Sequence, residues 1–229
     1  MPTVAGVDSC PFGWIAVLVT FYDEIVEENL FLLKRFKDIF HLEIRSSFVA
    51  VDIPIGLLDG PVKGGRECDQ TARKVLGRPR ASAVFSPPSR PSLSSTTFEG
   101  AREWGLNKQS FGILPKVKEL DELITPDLQN RIREAHPEVS FFTMAGLAAA
   151  SSGKKKKEGR KERIELLETY FFQIRESLAA FPSVKAAADD VLDAYACAWT
   201  AMRIFRGEAG RLPDEPPKDA RSLEMGIWY

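Results

Sequence analysis

The chain opens with Val4-Ala5-Gly6-Val7-Asp8-Ser9-Cys10-Pro11-Phe12-Gly13-Trp14-Ile15-Ala16-Val17-Leu18-Val19, a segment whose pattern predicts the start of a β-sheet. Two apolar runs rich in β-branched residues flank a Pro-Phe-Gly turn, which predicts a β-hairpin. Asp8 lies at the end of the first run, where a carboxylate is costly to bury without a cation or hydrogen bonds. Asp8 is therefore either the ligand of a cation or a turn residue that accepts backbone N–H groups.

A second apolar run, Phe48-Val49-Ala50-Val51, also ends on a carboxylate, Asp52. A continuous run of this kind is typical of a strand buried on both faces, and Pro54 ends the hydrogen-bond ladder soon after it. If the two strands are parallel neighbours, Asp8 and Asp52 meet at the carboxyl edge of the sheet. Open α/β sheets usually bind their ligands at that edge.

The last strong pattern is an alanine-rich apolar helix that begins at Asp189-Asp190 and continues to Met202. Either of these two acids is suited to cap the helix, and acids in a first turn also interact favourably with the helix dipole. Asp193 lies one turn further inside, where it has no capping role. Because Asp190 and Asp193 are i, i+3 neighbours on one face, they can contact a common cation.

Composition limits the kind of protein this is. With 229 residues, 44% of them hydrophobic, the chain can bury one large core or two small ones. The sequence has no apolar run of the roughly 20 residues that span a bilayer and no secretory leader pattern, so we expect a cytoplasmic protein that binds no membrane. The 3 cysteines and 2 histidines have no zinc-site spacing. Metal binding must therefore rest on carboxylates, which favour Mg²⁺ or Mn²⁺.

Two segments of the chain, residues 61–90 and 151–163, are strongly basic, although the whole chain has a net charge of −1. Each segment carries seven basic side chains against two acidic ones. Basic segments on an otherwise acidic chain favour contact with a polyanion such as nucleic acid. The alternative is that the segments are a solvated loop and a solvated helix start, which applies above all to the lysine run 154–157.

Residues 59–130 have the pattern of an insertion into the main fold, because they are rich in Gly, Pro and Ser and poor in apolar periodicity. Within them, Arg66 to Gly77 predicts a helix that ends on a glycine, and 114–123 predicts another. Arg66, Asp69 and Arg73 share one face of the first helix, which suggests that Arg66 and Arg73 bind substrate phosphate or another anion. The alternative is a surface salt-bridge ladder.

The sheet is predicted to resume at 131–141, where a short strand runs into His136-Pro137-Glu138. In this interpretation Glu138 is another carboxylate at a strand end, close to the same edge of the sheet. The segment 160–178 follows as one amphipathic helix, since its apolar residues recur at helical spacing.

Six motifs together resemble the DUF429 family over nearly the whole chain and in the same order. They are Gly6-Val7-Asp8 with Gly13-Trp14, Val51-Asp52-Ile53-Pro54-Ile55-Gly56-Leu57, the helix Arg66-x-Cys68-Asp69-x-x-Ala72-Arg73-x-x-Leu76-Gly77, Val84-Phe85-Ser86-Pro87-Pro88, His136-Pro137-Glu138-Val139-Ser140-Phe141 and Asp189-Asp190-x-x-Asp193-Ala194. That family is described as predicted nucleases with a ribonuclease H-like fold.

The resemblance implies an α/β, ribonuclease H-like mixed sheet flanked by helices. The expected arrangement is a single domain over residues 1–229, in which the helical and loop segment 59–130 is inserted as a possible recognition segment. The implied activity is an enzymatic one, the hydrolysis of phosphodiester bonds in DNA or RNA with Mg²⁺ or Mn²⁺.

The predicted catalytic residues are Asp8, Asp52, Glu138, Asp190 and Asp193, and the predicted metal ligands are Asp8, Asp52, Asp190 and Asp193. Arg66, Asp69 and Arg73 are the predicted substrate-binding residues.

Two other classes of function stay open at this point. The basic segments alone would serve a non-catalytic module that binds nucleic acid or protein on the same fold. A small-molecule phosphohydrolase or phosphotransferase is the other alternative, but the sequence has no glycine-rich phosphate loop. The oligomeric state does not follow from the sequence.

Overall fold

A computed structural model describes residues 1–147 and 157–229 and has a mixed α/β architecture. Its main sheet contains five strands in the order β3-β2-β1-β4-β5, and β6 and β7 form a sheet of two strands. The strand bounds are β1 Thr3–Cys10, β2 Gly13–Phe21, β3 Ile25–Leu33, β4 Phe48–Val51, β5 Ile132–Glu134, β6 Arg211–Leu212 and β7 Ile227–Trp228.

The main sheet places the two predicted strand-end acids side by side. β1 and β2 form the predicted antiparallel hairpin, in which Asp8 is paired with Ile15. β4 runs parallel to β1, and Val7 is in register with Val51. Asp8 and Asp52 each directly follow one of these two paired valines, so the prediction that parallel strands bring the two acids together is confirmed. The prediction that Asp8 ends its strand is wrong, because the pairing of β1 with β2 continues to Cys10.

The described helices are α1 Glu67–Leu76, α2 Phe98–Glu103, α3 Lys108–Gly112, α4 Leu114–Leu123, α5 Pro126–Gln129, α6 Pro137–Met144, α7 Lys157–Leu167, α8 Ile174–Ala179 and α9 Ala188–Arg206. Short 3₁₀ helices cover Phe36–His41, Arg80–Ala83 and Arg90–Ser94. In the described chain, none of the helices is long and apolar enough to cross a membrane.

The chain divides into two compact units. The first comprises Met1–Asp52, Arg131–Gly210 and Trp228–Tyr229, and the second comprises Ile53–Asn130 and Arg211–Ile227. The main sheet and α6 to α9 therefore belong to the first unit. The predicted insertion at residues 59–130 falls within the second unit, and its status as a segment inserted into a single domain stays a prediction.

In the first unit, α9 lies directly against β1 because three small residues let the two backbones approach. A Cβ atom built on Gly6 would lie 2.0 Å from the backbone N of Ala198 and 2.1 Å from the backbone O of Ala194. Gly6 is thus required by space rather than by its own backbone angles. Val191 to Met202 of α9 are all buried, which confirms the predicted apolar helix packed on the sheet.

The region around residue 138 differs from the prediction. β5 ends at Glu134, and Pro137 begins α6 rather than interrupting a strand. Pro suits this place because the first residues of a helix need no N–H partner inside it. Glu138 therefore lies in the first turn of a helix, and the prediction that it ends a strand is wrong.

The predicted single helix over 160–178 is also wrong, because it is broken into α7 and α8. The cause is Glu28 of β3, whose buried carboxylate accepts hydrogen bonds from the backbone N–H groups of Phe172 at 2.7 Å and Gln173 at 3.2 Å. The hydroxyl of Tyr195 donates to the same carboxylate at 3.0 Å. These tertiary acceptors replace the carbonyls that a continuous helix would supply.

The second unit is organised around buried ion pairs as well as apolar contacts. The predicted helix at 66–77 is confirmed, since Arg66 and Gly77 are the N-cap and C-cap of α1, and α4 has the predicted bounds. Arg90 donates to the carboxylates of Asp121 and Asp219. The second carboxylate also accepts the backbone N–H groups of Leu57, Leu223 and Arg221.

Residues 151–156 of the second basic segment, which include the first three lysines of the run 154–157, lie outside the described residues, and the rest of the segment begins α7.

We expect Gly6→Ala to lower the free energy of unfolding by about 3 kcal/mol, because the new methyl group meets backbone atoms that cannot rotate away. Chemical denaturation with circular dichroism measures this change. Gly60→Ala is the matched control, since nothing lies within 4 Å of its built Cβ, and it should change stability by less than about 0.5 kcal/mol. Equal stability of the two variants would contradict the close packing of α9 on β1.

The carboxylate of Asp219 gives the protein a pH-dependent stability. Burial alone would raise the pKa of Asp219, but the hydrogen bonds from Arg90 and from backbone N–H groups outweigh burial and lower that pKa from 3.8. Its stabilising contribution is therefore present above about pH 4 and is lost as the pH falls through the folded-state pKa.

Asp219→Asn should accordingly lower the free energy of unfolding by about 2 kcal/mol at pH 7. The difference from the wild type should shrink as the pH falls from about 4 through the lowered folded-state pKa, because the wild-type carboxylate becomes protonated there. Denaturation curves at several pH values measure it, and Asp214→Asn, at an exposed position, is the control. A difference that does not change with pH would contradict this account.

Candidate metal centre

Three carboxylates from three separate elements converge in the first unit. Asp8 comes from β1, Asp52 directly follows β4, and Asp193 lies in the second turn of α9. Each offers one carboxylate oxygen, and these oxygens all lie within 4.8 Å of one another. Asp8 and Asp193 are buried, whereas Asp52 is half-buried. All three are metal ligands predicted from the sequence, and the structure brings them together.

The electrostatics of the cluster are unfavourable to three ionised groups. Burial raises the pKa of Asp8 well above its ordinary value of 3.8, and the negative charges of Asp52, Asp193 and Asp190 raise it further. The backbone N–H of Ser9 donates to Asp8 Oδ1 at 2.6 Å and lowers the pKa, but by less. A cation among these groups would favour the charged forms.

Asp190 has a different position from the other predicted ligands. Its carboxylate accepts the backbone N–H of Ala187 at 2.8 Å, which caps the start of α9. It is outside the group of three oxygens, although its charge acts on Asp8. Asp189, the other candidate cap, instead pairs with Arg160 at 3.3 Å. The role of Asp190 as a metal ligand stays a prediction.

Cys197 is a neighbour of the acidic cluster that the sequence analysis did not identify. Burial raises the pKa of its thiol, and the charges of Asp52, Asp8 and Asp193 raise it further. The sequence spacing could have identified Cys197, because it follows Asp193 by one helical turn and so lies on the same face of α9. The neutral thiol forms part of the apolar surroundings in which the three acids are held.

Glu138, predicted as a further catalytic acid, is buried in α6 and accepts a hydrogen bond from Arg163 of α7. The guanidinium of Arg163 also lies over the ring of Phe141, 5.0 Å from its centroid. Among the described residues, Glu138 is not one of the acids whose oxygens lie close enough together to hold one metal ion. Its catalytic role stays a prediction.

The three predicted substrate-binding residues lie in the second unit. Arg66 is buried, bonds to the carbonyls of Ile55 and Gly56 at 3.0 and 3.1 Å, and pairs with Asp69 at 2.7 Å. Arg73 is half-buried and donates to the carbonyls of Val84 and Gly64. Arg66 and Asp69 therefore fix the start of α1, and contact of any of the three with substrate stays a prediction.

The acidic cluster fits a small divalent cation in size and in chemistry. Mg²⁺ and Mn²⁺ prefer carboxylate oxygens, and two oxygens on opposite sides of one Mg²⁺ are about 4.2 Å apart. Adjacent oxygens on the same ion are about 2.9 Å apart, so three oxygens within 4.8 Å of one another need side-chain shifts of the order of an ångström to share one ion. Asp8, Asp52 and Asp193 are the residues that would hold the ion.

A protein-family model matches most of the chain. The family model described as "Protein of unknown function (DUF429)" matches residues 6–218 and thus includes Asp8, Asp52 and Asp193. The chain belongs to the DUF429 family. No curated protein and no solved structure matches the chain. Membership of DUF429 therefore confirms the predicted family and leaves the activity to be argued from the site itself.

For this DUF429 protein we expect Asp8→Asn to raise the free energy of unfolding in the absence of metal by about 1–2 kcal/mol. The substitution removes one of three close negative charges, and the amide oxygen still accepts the N–H of Ser9. Denaturation in the presence of a chelator measures the gain. Glu27→Gln, which neutralises an exposed acid, is the control and should change stability by less than about 0.5 kcal/mol. A less stable Asp8→Asn variant would contradict the repulsion inferred here.

Proposed function

We propose that this DUF429 protein is a metal-dependent nuclease with a ribonuclease H-like fold. The observation that carries the proposal is the convergence of Asp8, Asp52 and Asp193, whose carboxylate oxygens lie within 4.8 Å of one another. Hydrolysis of phosphodiesters is a reaction for which proteins use such carboxylate-held divalent cations.

The arrangement of the sheet supports the proposal. A carboxylate at the end of a first central strand, followed by a hairpin to the second strand, is the opening expected of ribonuclease H-like folds. β1 is central, β2 follows it through a hairpin, and β4 adds a parallel strand that ends beside Asp8. The family, the order of the motifs and this sheet agree with one another.

The chain's own residues have distinct parts in the proposed reaction. Asp8 belongs to β1, the strand that pairs with β4 and packs against α9, so in the proposal its carboxylate is the central one of the three that would hold the cation. The N–H of Ser9 fixes one of its oxygens, which leaves the other for the cation. A bound Mg²⁺ or Mn²⁺ supplies charge that stabilises the phosphate and lowers the pKa of the attacking water. Asp190 holds the start of α9 and thereby the position of Asp193.

Nucleic acid is the proposed substrate, and the exposed basic side chains of the segment 61–90 support this proposal. Lys63, Lys74 and Arg78 are exposed, whereas Arg66 and Arg80 are buried. Three exposed cations suffice for a weak, salt-dependent attraction to a phosphate backbone.

Metal binding is the first test, and it needs no knowledge of the substrate. Mn²⁺ or Mg²⁺ at about 100 times its Kd should stabilise the wild type by about 2.7 kcal/mol, because the ion binds the folded state only. Asp8→Asn and Asp193→Asn should abolish this increase in thermal denaturation experiments. Asp189→Asn removes the same charge from the same helix outside the cluster and should keep the increase. If the metal ion stabilised all three variants equally, Asp8 and Asp193 would not be its ligands.

Nuclease activity is the second test. Labelled single- and double-stranded DNA and RNA are incubated with the wild type and Mn²⁺ or Mg²⁺, and cleavage is followed on denaturing gels. Cleavage that a chelator and Asp193→Asn abolish, and Asp189→Asn preserves, would support the proposal. Binding of nucleic acid without cleavage would favour the non-catalytic module instead. Hydrolysis of small phosphate esters alone would favour the phosphohydrolase.

A further inference from the structure

The second unit contains a cavity of about 560 Å³ that is formed by residues between Leu58 and Ser110. Its walls are the glycine-containing loop 60–65, Arg66 and Arg73 near the two ends of α1, the segment 84–89 and the loop 104–107. Cavities that bind small molecules in proteins commonly measure about 300–1,000 Å³. The cavity is therefore large enough for one small organic molecule.

The charged side chains around the cavity are all basic. They are Lys63, Arg66 and Arg73, and within residues 1–147 and 157–229 neither Asp nor Glu is among the lining residues. The charge of Arg66 is balanced by Asp69, to which it is bonded. Lys63 and Arg73 remain as the net positive charge, so the electrostatics favour an anionic group in the cavity.

Arg73 is held at the cavity wall by the protein itself. Its guanidinium donates to the carbonyl of Val84 at 2.8 Å and to the carbonyl of Gly64, which belong to two different walls. A guanidinium has more N–H donors than these two carbonyls accept. Because its position is already fixed, a ligand that accepts the remaining donors loses little side-chain entropy.

Ser89 contributes a buried hydroxyl that has no partner in the described part of the chain. It lines the cavity and is 5% exposed, and its Oγ forms no hydrogen bond there. A buried polar atom without a partner costs free energy, and in native structures it often marks a missing ligand or ion. An acceptor or donor on a bound molecule would satisfy this hydroxyl.

An aromatic and proline surface forms another part of the lining. It consists of Trp104, Phe85, Pro87 and Pro88. Trp104 also packs against the small core formed by Ala101, Leu106 and Leu114. Flat apolar surfaces of this kind suit a planar ring, which stacks on an aromatic side chain with a gain beyond the area that it buries.

We propose that this cavity binds a nucleoside monophosphate, with its phosphate towards Lys63 and Arg73 and its base against Trp104. The basic side chains favour an anionic group, the hydroxyl of Ser89 needs a hydrogen-bond partner, and the aromatic wall suits a planar ring. A ligand that joins an anion to a planar ring satisfies all three. This site consists of residues of the second unit only, so it does not depend on the proposed nuclease activity.

Titration calorimetry with AMP, GMP, CMP and UMP tests the proposal, with a chelator present so that no metal takes part. At least one nucleotide should bind with a Kd at least tenfold lower than that of inorganic phosphate or of the matching nucleoside. Asp8→Asn should bind it as the wild type does. A failure here is therefore distinguishable from a failure of the metal centre, which is measured separately.

Matched variants locate the site. Lys63→Gln should raise the Kd about threefold, while Lys74→Gln, an equal charge change on the exposed side of α1, should not alter it. Ser89→Ala should weaken binding about fivefold but leave the ligand-free protein equally or more stable, because a partnerless hydroxyl is removed. Nucleotide should quench tryptophan fluorescence in the wild type, and Trp104→Phe should abolish that quenching.

Three results would overturn the proposal. Absence of binding by all four nucleotides at millimolar concentration would exclude a nucleotide site. Equal affinity for nucleotide and inorganic phosphate would show that the ring is not recognised. Equal effects of Lys63→Gln and Lys74→Gln would show that binding occurs somewhere other than this cavity.

Discussion

The first unit depends on the contact between the backbone of β1 at Gly6 and the backbone of α9 at Ala194 and Ala198. No side chain fits between the two elements there, since even a methyl group on Gly6 would lie 2.0 Å from a backbone nitrogen. This approach fixes the height and the rotation of α9 over the sheet. Asp193 precedes Ala194 directly, so the same contact sets where its carboxylate lies relative to Asp8. The same backbone contact thus determines both the packing of the small residues and the geometry of the acidic cluster.

The acidic cluster shows how such a fold can hold an unfavourable arrangement of charges. Each of the three acids is attached to a rigid element whose position is fixed by apolar burial, so repulsion among them cannot move the backbone apart. The free energy of the packed helix and sheet offsets the cost of the close carboxylates. Glu28 illustrates the contrasting case, in which a buried carboxylate is satisfied by backbone N–H groups and a tyrosine hydroxyl and stabilises a turn.

Sequence patterns predicted the elements that are locally determined, and they failed where distant residues decide. The strands that carry Asp8 and precede Asp52, and the helix around Asp193, follow from apolar runs and turn residues, so the acidic cluster could be predicted almost completely. The break between α7 and α8 could not, because the acceptor that causes it lies on β3. Glu138 was misplaced because an isolated Pro fits both a strand interruption and a helix start. The cavity of the second unit is built from irregular loops, which have no periodicity to detect.

The spacing of the three acids along the chain has a consequence for folding. Asp8 and Asp52 belong to adjacent parallel strands, whereas Asp193 is supplied by a helix much further along the sequence. A folding chain in which α9 has not yet packed over β1 brings together only two of the three carboxylates. The acidic cluster is therefore completed by a contact between residues far apart in sequence, which carries a large loop-closure entropy, so the cluster is a property of the folded unit and not of the early folding chain.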